Sequence, residues 1–128
     1  MDVYLTKWMA RFVRREGISH AALRDAILRA ERGLIDADLG GGLIKQRVAR
    51  AGKGRSGGYR TIIAYRRGDR AFFIHGFAKS EQENICPDEL RTAREIGAVL
   101  MATPADVVAR NITTGEWEEI AYGREEEA

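Results

Sequence analysis

Lys45, Arg47, Lys53, Arg55, Arg60 and Lys79 crowd into one stretch of the chain, among glycines and strand-like apolar residues. Cations in this setting act on phosphate. They neutralise a nucleic-acid backbone, and they can stabilise the extra charge that builds on phosphorus when a neighbouring 2′-hydroxyl attacks it. Cleavage of that kind needs a base for the 2′ proton, an acid for the leaving 5′ oxygen and cations around the phosphorus, but no metal. A lysine whose pKa is depressed by cationic neighbours can serve in the proton transfers. Tyr59 and Tyr65 add rings on which bases could stack. On composition alone, plain binding outweighs catalysis.

From Leu43 to Lys79 there are ten Lys or Arg and a single acid, Asp69, so this segment carries +9. The whole chain carries +2, which leaves −7 for the flanks. A basic centre in an acidic frame points to a polyanionic partner. The interleaved apolar residues and glycines indicate a folded basic surface rather than a solvated tail. By the ordinary pKa of its side chain His75 is the acid–base candidate, but it alternates with Phe73 and Phe77 and reads as a sheet residue among aromatic rings. Arg66, Arg67 and Arg70 flank a turn and read as solvent-facing charge.

At 128 residues with 45% hydrophobic residues, a single domain is expected. We divide it into a core over about 3–102 and an extension over 103–128 with an acidic end. The lone cysteine, Cys86, excludes an internal disulfide and a cysteine-cluster metal site. His20 and His75 lack ligand-like spacing, so no metal and no cofactor are expected. No apolar run is long enough to span a membrane, and the chain start lacks a signal peptide's features. The expected setting is the cytoplasm.

The elements that would carry the cations follow from periodicity and capping. Val3–Leu5 reads as a strand. Thr6 caps a helix from Lys7 to about Glu16, which Gly17 stops. Trp8, Met9, Phe12 and Val13 form its apolar face. Ser19 starts a second helix, with Leu23, Ala26, Ile27 and Ala30 on one side, ending at Gly33. Leu34–Gly42 reads as a loop. Leu43–Ala49 alternates, with Ile44 and Val48 on one face and Lys45 and Arg47 on the other. Arg50–Gly58 reads as a loop, Tyr59–Arg67 as a strand, Gly68-Asp69 as a hairpin turn and Arg70–Ala78 as the third strand of a meander. Cys86-Pro87-Asp88-Glu89 and Thr103-Pro104 start helices. Trp117–Tyr122 is a weak final strand or docked arm. The result is α+β: a mostly antiparallel sheet with helices on one face, leaving the other open.

At this point the sequence resembles a known family. Gly42-Leu-Ile-Lys-Gln-Arg-Val-Ala, Gly52-Lys-Gly-Arg-Ser-Gly-Gly-Tyr-Arg60 and Gly76-Phe-Ala-Lys79-Ser-Glu are similar to the RelE/HigB-type toxins of bacterial toxin–antitoxin systems. The similarity runs from Val3 to about Leu100, and the strand–helix–helix–meander–helix order agrees with it. The resemblance implies a RelE-like fold and an mRNA-cleaving activity on mRNA in the ribosomal decoding site. It also implies silencing by a co-encoded antitoxin of helix-turn-helix type, through which alone operator DNA would be met. By the same resemblance Arg60 contacts the scissile phosphate and Lys79 closes the site. Lys53 and Arg55 supply charge and proton transfer, while Lys45 and Arg47, with Tyr59, meet RNA. Relatives place an acid–base tyrosine or histidine near the C-terminal end, where Tyr122 is the loose match here.

Two other readings fit the scaffold. One is a non-enzymatic ParE-like inhibitor of a protein target such as DNA gyrase. The other is an RNA- or DNA-binding module without catalysis. The clustering of the six cations favours RNA, since a gyrase binder does not need it.

Overall fold

The structure, a computed structural model, describes residues 1–50 and 54–123 and, for 54–56, the backbone only. Its elements are β1 (Asp2–Leu5), α1 (Lys7–Glu16), α2 (His20–Glu31), β2 (Ala37–Gly40), β3 (Leu43–Arg50), β4 (Gly54–Arg66), β5 (Arg70–Ala78), α3 (Pro87–Ala102), α4 (Ala105–Thr113) and β6 (Glu118–Ile120). The strands form one six-stranded sheet in the order β2-β3-β4-β5-β1-β6. Every pairing is antiparallel except β1 with β5.

The helix boundaries follow the capping residues. The Thr6 hydroxyl accepts from Met9 N at 3.2 Å, and Ser19 Oγ accepts from Ala22 N at 3.1 Å. These contacts satisfy amides that the first helical turn leaves unpaired. Pro87 opens α3, and the Glu89 carboxylate accepts from Cys86 N at 3.2 Å.

The expectation that all helices share one face does not hold. Val3, Ile44, Val48, Ile63 and Phe73 pack with the buried residues of α1 and α2. Tyr4, Leu43, Ile62, Ala64, Phe72 and Ile74 pack with Ala93, Leu100 and Val108 of α3 and α4 on the opposite side. Strands with apolar residues at successive positions, such as Ile62-Ile63-Ala64, must be covered on both faces. Each fully buried Leu, Ile or Phe contributes roughly 1.5–3 kcal/mol. Two glycines set how closely the layers approach. A Cβ at Gly76 would lie 2.8 Å from the Phe12 ring of α1. One at Gly97 would lie 3.1 Å from Leu43 Cδ2, so α3 can lie directly on β3 and β4.

Three other expectations change. The segment 34–42, read as a loop, contains the edge strand β2, which pairs with β3. The segment 50–58 is mostly not loop, because β4 begins at Gly54, paired with Arg50. After Thr103, α4 and β6 lie where a helix and a weak final strand are expected: β6 pairs with β1, and Val108 and Ile120 are buried. Arg66, Arg67 and Arg70 are not merely solvated charge. Arg70 Nη1 donates to Leu100 O at 3.1 Å and Thr103 O at 2.8 Å, tying the end of α3 to the sheet. Arg67 donates to Glu31 O, and Arg66 pairs with Asp69 across the turn.

Candidate nucleic-acid interface

The α3 side of the sheet is not covered from end to end. Cross-strand register arranges it in rows. Leu43, Ala64 and Phe72 form one row, and Leu43 and Ala64 are the side chains nearest Gly97 of α3. The next row is Lys45–Ile62–His75, and the one after is Arg47–Arg60–Phe77. Side chains along a strand alternate between faces, so these two rows point the same way as the first. They emerge where α3 begins, and they place three of the expected cations, Lys45, Arg47 and Arg60, on one surface.

Each cation on this surface has a distinct environment. Lys45 Nζ reaches Asn84 Oδ1 at 3.4 Å, in the segment leading into α3. Arg47 is anchored by Asp36, whose carboxylate accepts from Arg47 N at 2.6 Å and lies 3.4 Å from its Nη2. Asp36 is in turn held by Gln46, whose side chain is fully buried beneath the sheet. Gln46 Oε1 accepts from Asp36 N at 2.7 Å while its Nε2 donates to Ala26 O at 2.9 Å and Leu34 O at 3.2 Å. Arg60 sits in register with Arg47. Its Nη1 is buried and has no hydrogen-bond partner among the described residues. Burial depresses the Arg60 pKa, Arg47 depresses it further, and Asp36 opposes both. Like charges directly opposite each other on neighbouring strands cost stability, as does an unmade hydrogen bond on a guanidinium. Both costs are relieved when an anion such as a phosphate binds between them.

Lys79 is exposed just beyond β5, its N donating to Gly58 O at 3.3 Å. It therefore lies beside the strand that carries Arg60. Lys53 lies outside the described residues. Arg55 is placed only as backbone within β4, and its side chain lies outside them as well.

Tyr59 is a correction. It is 1% exposed and on the opposite face, in the core with α1. Its hydroxyl donates to Glu16 Oε1 at 3.2 Å, and Phe12 meets its ring edge-on. It cannot stack a base from that position. Tyr65 likewise packs on the α1–α2 side and donates to Glu31, and burial raises its pKa. Tyr122 packs on that side too, away from Arg60.

His75 was read as one of three like-placed residues with Phe73 and Phe77. A bulge in β5 breaks that alternation. Ile62 pairs with His75 while Ile63 pairs with Phe73, so Ile74 is the extra residue. Phe73 consequently joins the α1–α2 core, and His75 turns to the basic surface. The imidazole lies against Trp8 at 4.6 Å between ring centroids, with Phe77 at 6.1 Å. Its Nε2 is 3.4 Å from Glu89 Oε2 yet forms no hydrogen bond. Burial lowers the His75 pKa from its usual value, and Glu89 partly offsets this. The Glu89 carboxyl is held below its usual range by hydrogen bonds from Gln82 and from Cys86. Trp8, expected in the core, is instead 45% exposed and lines a groove of about 580 Å³ with His75, Glu89, Ile96 and Trp117.

Guanidinium and ammonium groups thus stand in adjacent rows on one face of a mostly antiparallel α+β sheet, a charge pattern complementary to phosphate. The family model described as the RelE toxin of the RelE/RelB toxin–antitoxin system matches residues 1–120. The chain belongs to that family and is a toxin of a toxin–antitoxin system, with an antitoxin as its partner. No curated protein matches the chain. Among the described residues, no group of His, Cys, Asp and Glu could hold a metal ion, and no helix is long and apolar enough to cross a membrane.

Proposed function

We propose that this toxin is a metal-independent endoribonuclease of the cytoplasm that cleaves mRNA in the ribosomal decoding site. The observation that carries the reading is Arg60: a buried guanidinium nitrogen without a partner, opposite a second arginine, on an exposed basic surface. Arg60 would hold the scissile phosphate and stabilise the charge that develops on it. Lys45 and Arg47 would track the backbone on either side, and Lys79 would close the site. Arg55, whose backbone lies at the start of β4, and Lys53, two residues earlier in the sequence, would add charge. The bound antitoxin, of helix-turn-helix type, would silence the enzyme and link it to operator DNA.

The test is induced expression of the toxin with mapping of mRNA 5′ ends. Cuts confined to translated frames are the expected result. Growth arrest without new RNA ends, accompanied by gyrase-dependent DNA damage, would replace this reading with inhibition of a protein target.

A further inference from the structure

Among the described residues, two buried side-chain polar atoms lack a hydrogen-bond partner: Arg60 Nη1 and His75 Nε2. They belong to adjacent rows of the same sheet face, on neighbouring strands. Diagonal neighbours of this kind are roughly 7–8 Å apart at Cα, within reach of one phosphodiester unit. Buried polar groups in native proteins are nearly always paired, so the orphan Arg60 Nη1 marks a place where a ligand completes the bonding, whereas His75 Nε2 has the Glu89 carboxylate 3.4 Å away.

We propose that His75 is the general base of RNA cleavage and that Glu89 is its positioning residue. This rests on the ribonuclease reading above and deepens it. Glu89 is fixed at the start of α3 by its bonds to Cys86 N and Gln82 Nε2, at 3.2 and 3.0 Å. Its second oxygen, Oε2, lies 3.4 Å from His75 Nε2. A carboxylate there favours the tautomer with the proton on Nε2, which leaves Nδ1 unprotonated and able to accept. Trp8 and Phe77 hold the ring plane. The bulge at Ile74 is what aims the imidazole at this surface.

The step balances as follows. His75 takes the proton of the 2′-hydroxyl, and the 2′ oxygen forms a bond to the adjacent phosphorus. The bond from phosphorus to the 5′ oxygen breaks, and that oxygen takes a proton from water. The hydroxide left behind removes the proton from the imidazolium. The products are a 2′,3′-cyclic phosphate and a 5′-hydroxyl. Burial keeps the imidazole neutral at pH 7, the form a base requires. The charged groups around it are Glu89 and Asp88 of α3, Lys7 of α1, Glu116 after α4 and Arg60 of β4. Lys7 and Glu116 pair with each other at 4.0 Å.

The experiment measures single-turnover cleavage of mRNA on programmed ribosomes from about pH 5 to 8, a range that spans the titration of an imidazole. Wild type, His75→Gln, Glu89→Gln and Arg60→Ala are compared. Wild-type cleavage should rise with pH through a midpoint below 6.5, the usual histidine value. His75→Gln should lose about 10²–10⁴-fold in rate and the rise itself, with ribosome binding unchanged. Glu89→Gln should keep the rise but move its midpoint to lower pH, because the charge favouring the imidazolium is gone. This second variant decides the matter if His75→Gln does not fold. A His75→Gln protein with the wild-type profile, or a Glu89→Gln protein with an unmoved midpoint, overturns the assignment of His75 alone. No cleavage by wild type under any of these conditions overturns the ribonuclease reading, and His75 with it.

Discussion

Arg60 and Arg47 oppose each other across two strands, and among these two only Arg47 hydrogen-bonds Asp36, whose carboxylate acts on Arg60 through space. That asymmetry makes Arg60 the cation most in need of an external anion. Arg60→Ala should therefore reduce cleavage about 10²–10³-fold, the usual cost of losing one transition-state donor. It should leave melting temperature unchanged or raised, since it removes a buried unpaired nitrogen. Full toxicity from a soluble Arg60→Ala protein would refute the role. His75 has a consequence for stability as well. Its folded pKa lies below the unfolded value of about 6.5, so the unfolded chain binds more protons as pH falls through that range. Its contribution is therefore complete above pH 6.5 and lost as pH falls toward the folded pKa. Urea unfolding of wild type should show this decline, and His75→Phe should flatten it. Glu89 titrates in a separate window, below its usual 4.5.

The two helical layers meet the sheet through particular residues of β5 and α3. Gly76 lets α1 approach so closely that the Phe12 ring touches the backbone, and this brings Trp8 beside His75. Gly76→Val should lower stability by about 1–3 kcal/mol through overpacking. It should also reduce cleavage, because α1 can no longer hold Trp8 against the imidazole. A Gly76→Val protein with wild-type melting and wild-type cleavage would mean the approach of α1 is not needed. The bulge in β5 works at the same level. One inserted residue sends Phe73 to one core and His75 to the opposite surface.

The chain as a unit carries +2, but its central segment carries +9 and the flanks −7. The acids are not spread evenly: Asp88, Glu89 and Glu116 line the groove beside His75, while Lys45, Arg47 and Arg60 stand in the rows next to it. Opposite charges at such an interface raise the rate of encounter and make it sensitive to salt. An acidic antitoxin segment is expected to cover Lys45, Arg47, Arg60 and Lys79. Association should slow steeply between about 50 and 500 mM salt, as the screening length shrinks several-fold. A rate flat across that range, with Arg60→Ala and Lys79→Ala binding normally, would place the antitoxin away from this face.

Much of this was legible in the residues alone. Thr6, Gly17, Ser19 and Pro87 bound their helices because capping is a local matter of two or three residues. Alternation assigned Lys45 and Arg47 to one face of β3, and three short motifs pointed to the toxin family. The short edge strand β2 escaped notice because its polar, glycine-ended sequence lacks alternation and is strand only through pairing with β3. Tyr59 looked like a surface ring because its neighbours are charged, yet the twofold period puts it on the α1 side. His75 read as a sheet residue in step with Phe73 and Phe77 because period two assumes an unbroken strand. Whether a strand bulges depends on how two strands and two helical layers fit together, and no local signal in Phe72–Phe77 encodes that. Local chemistry therefore decided which residues form elements and which carry charge. Only tertiary packing decided which of them face the same surface, because that depends on register across strands far apart in the chain.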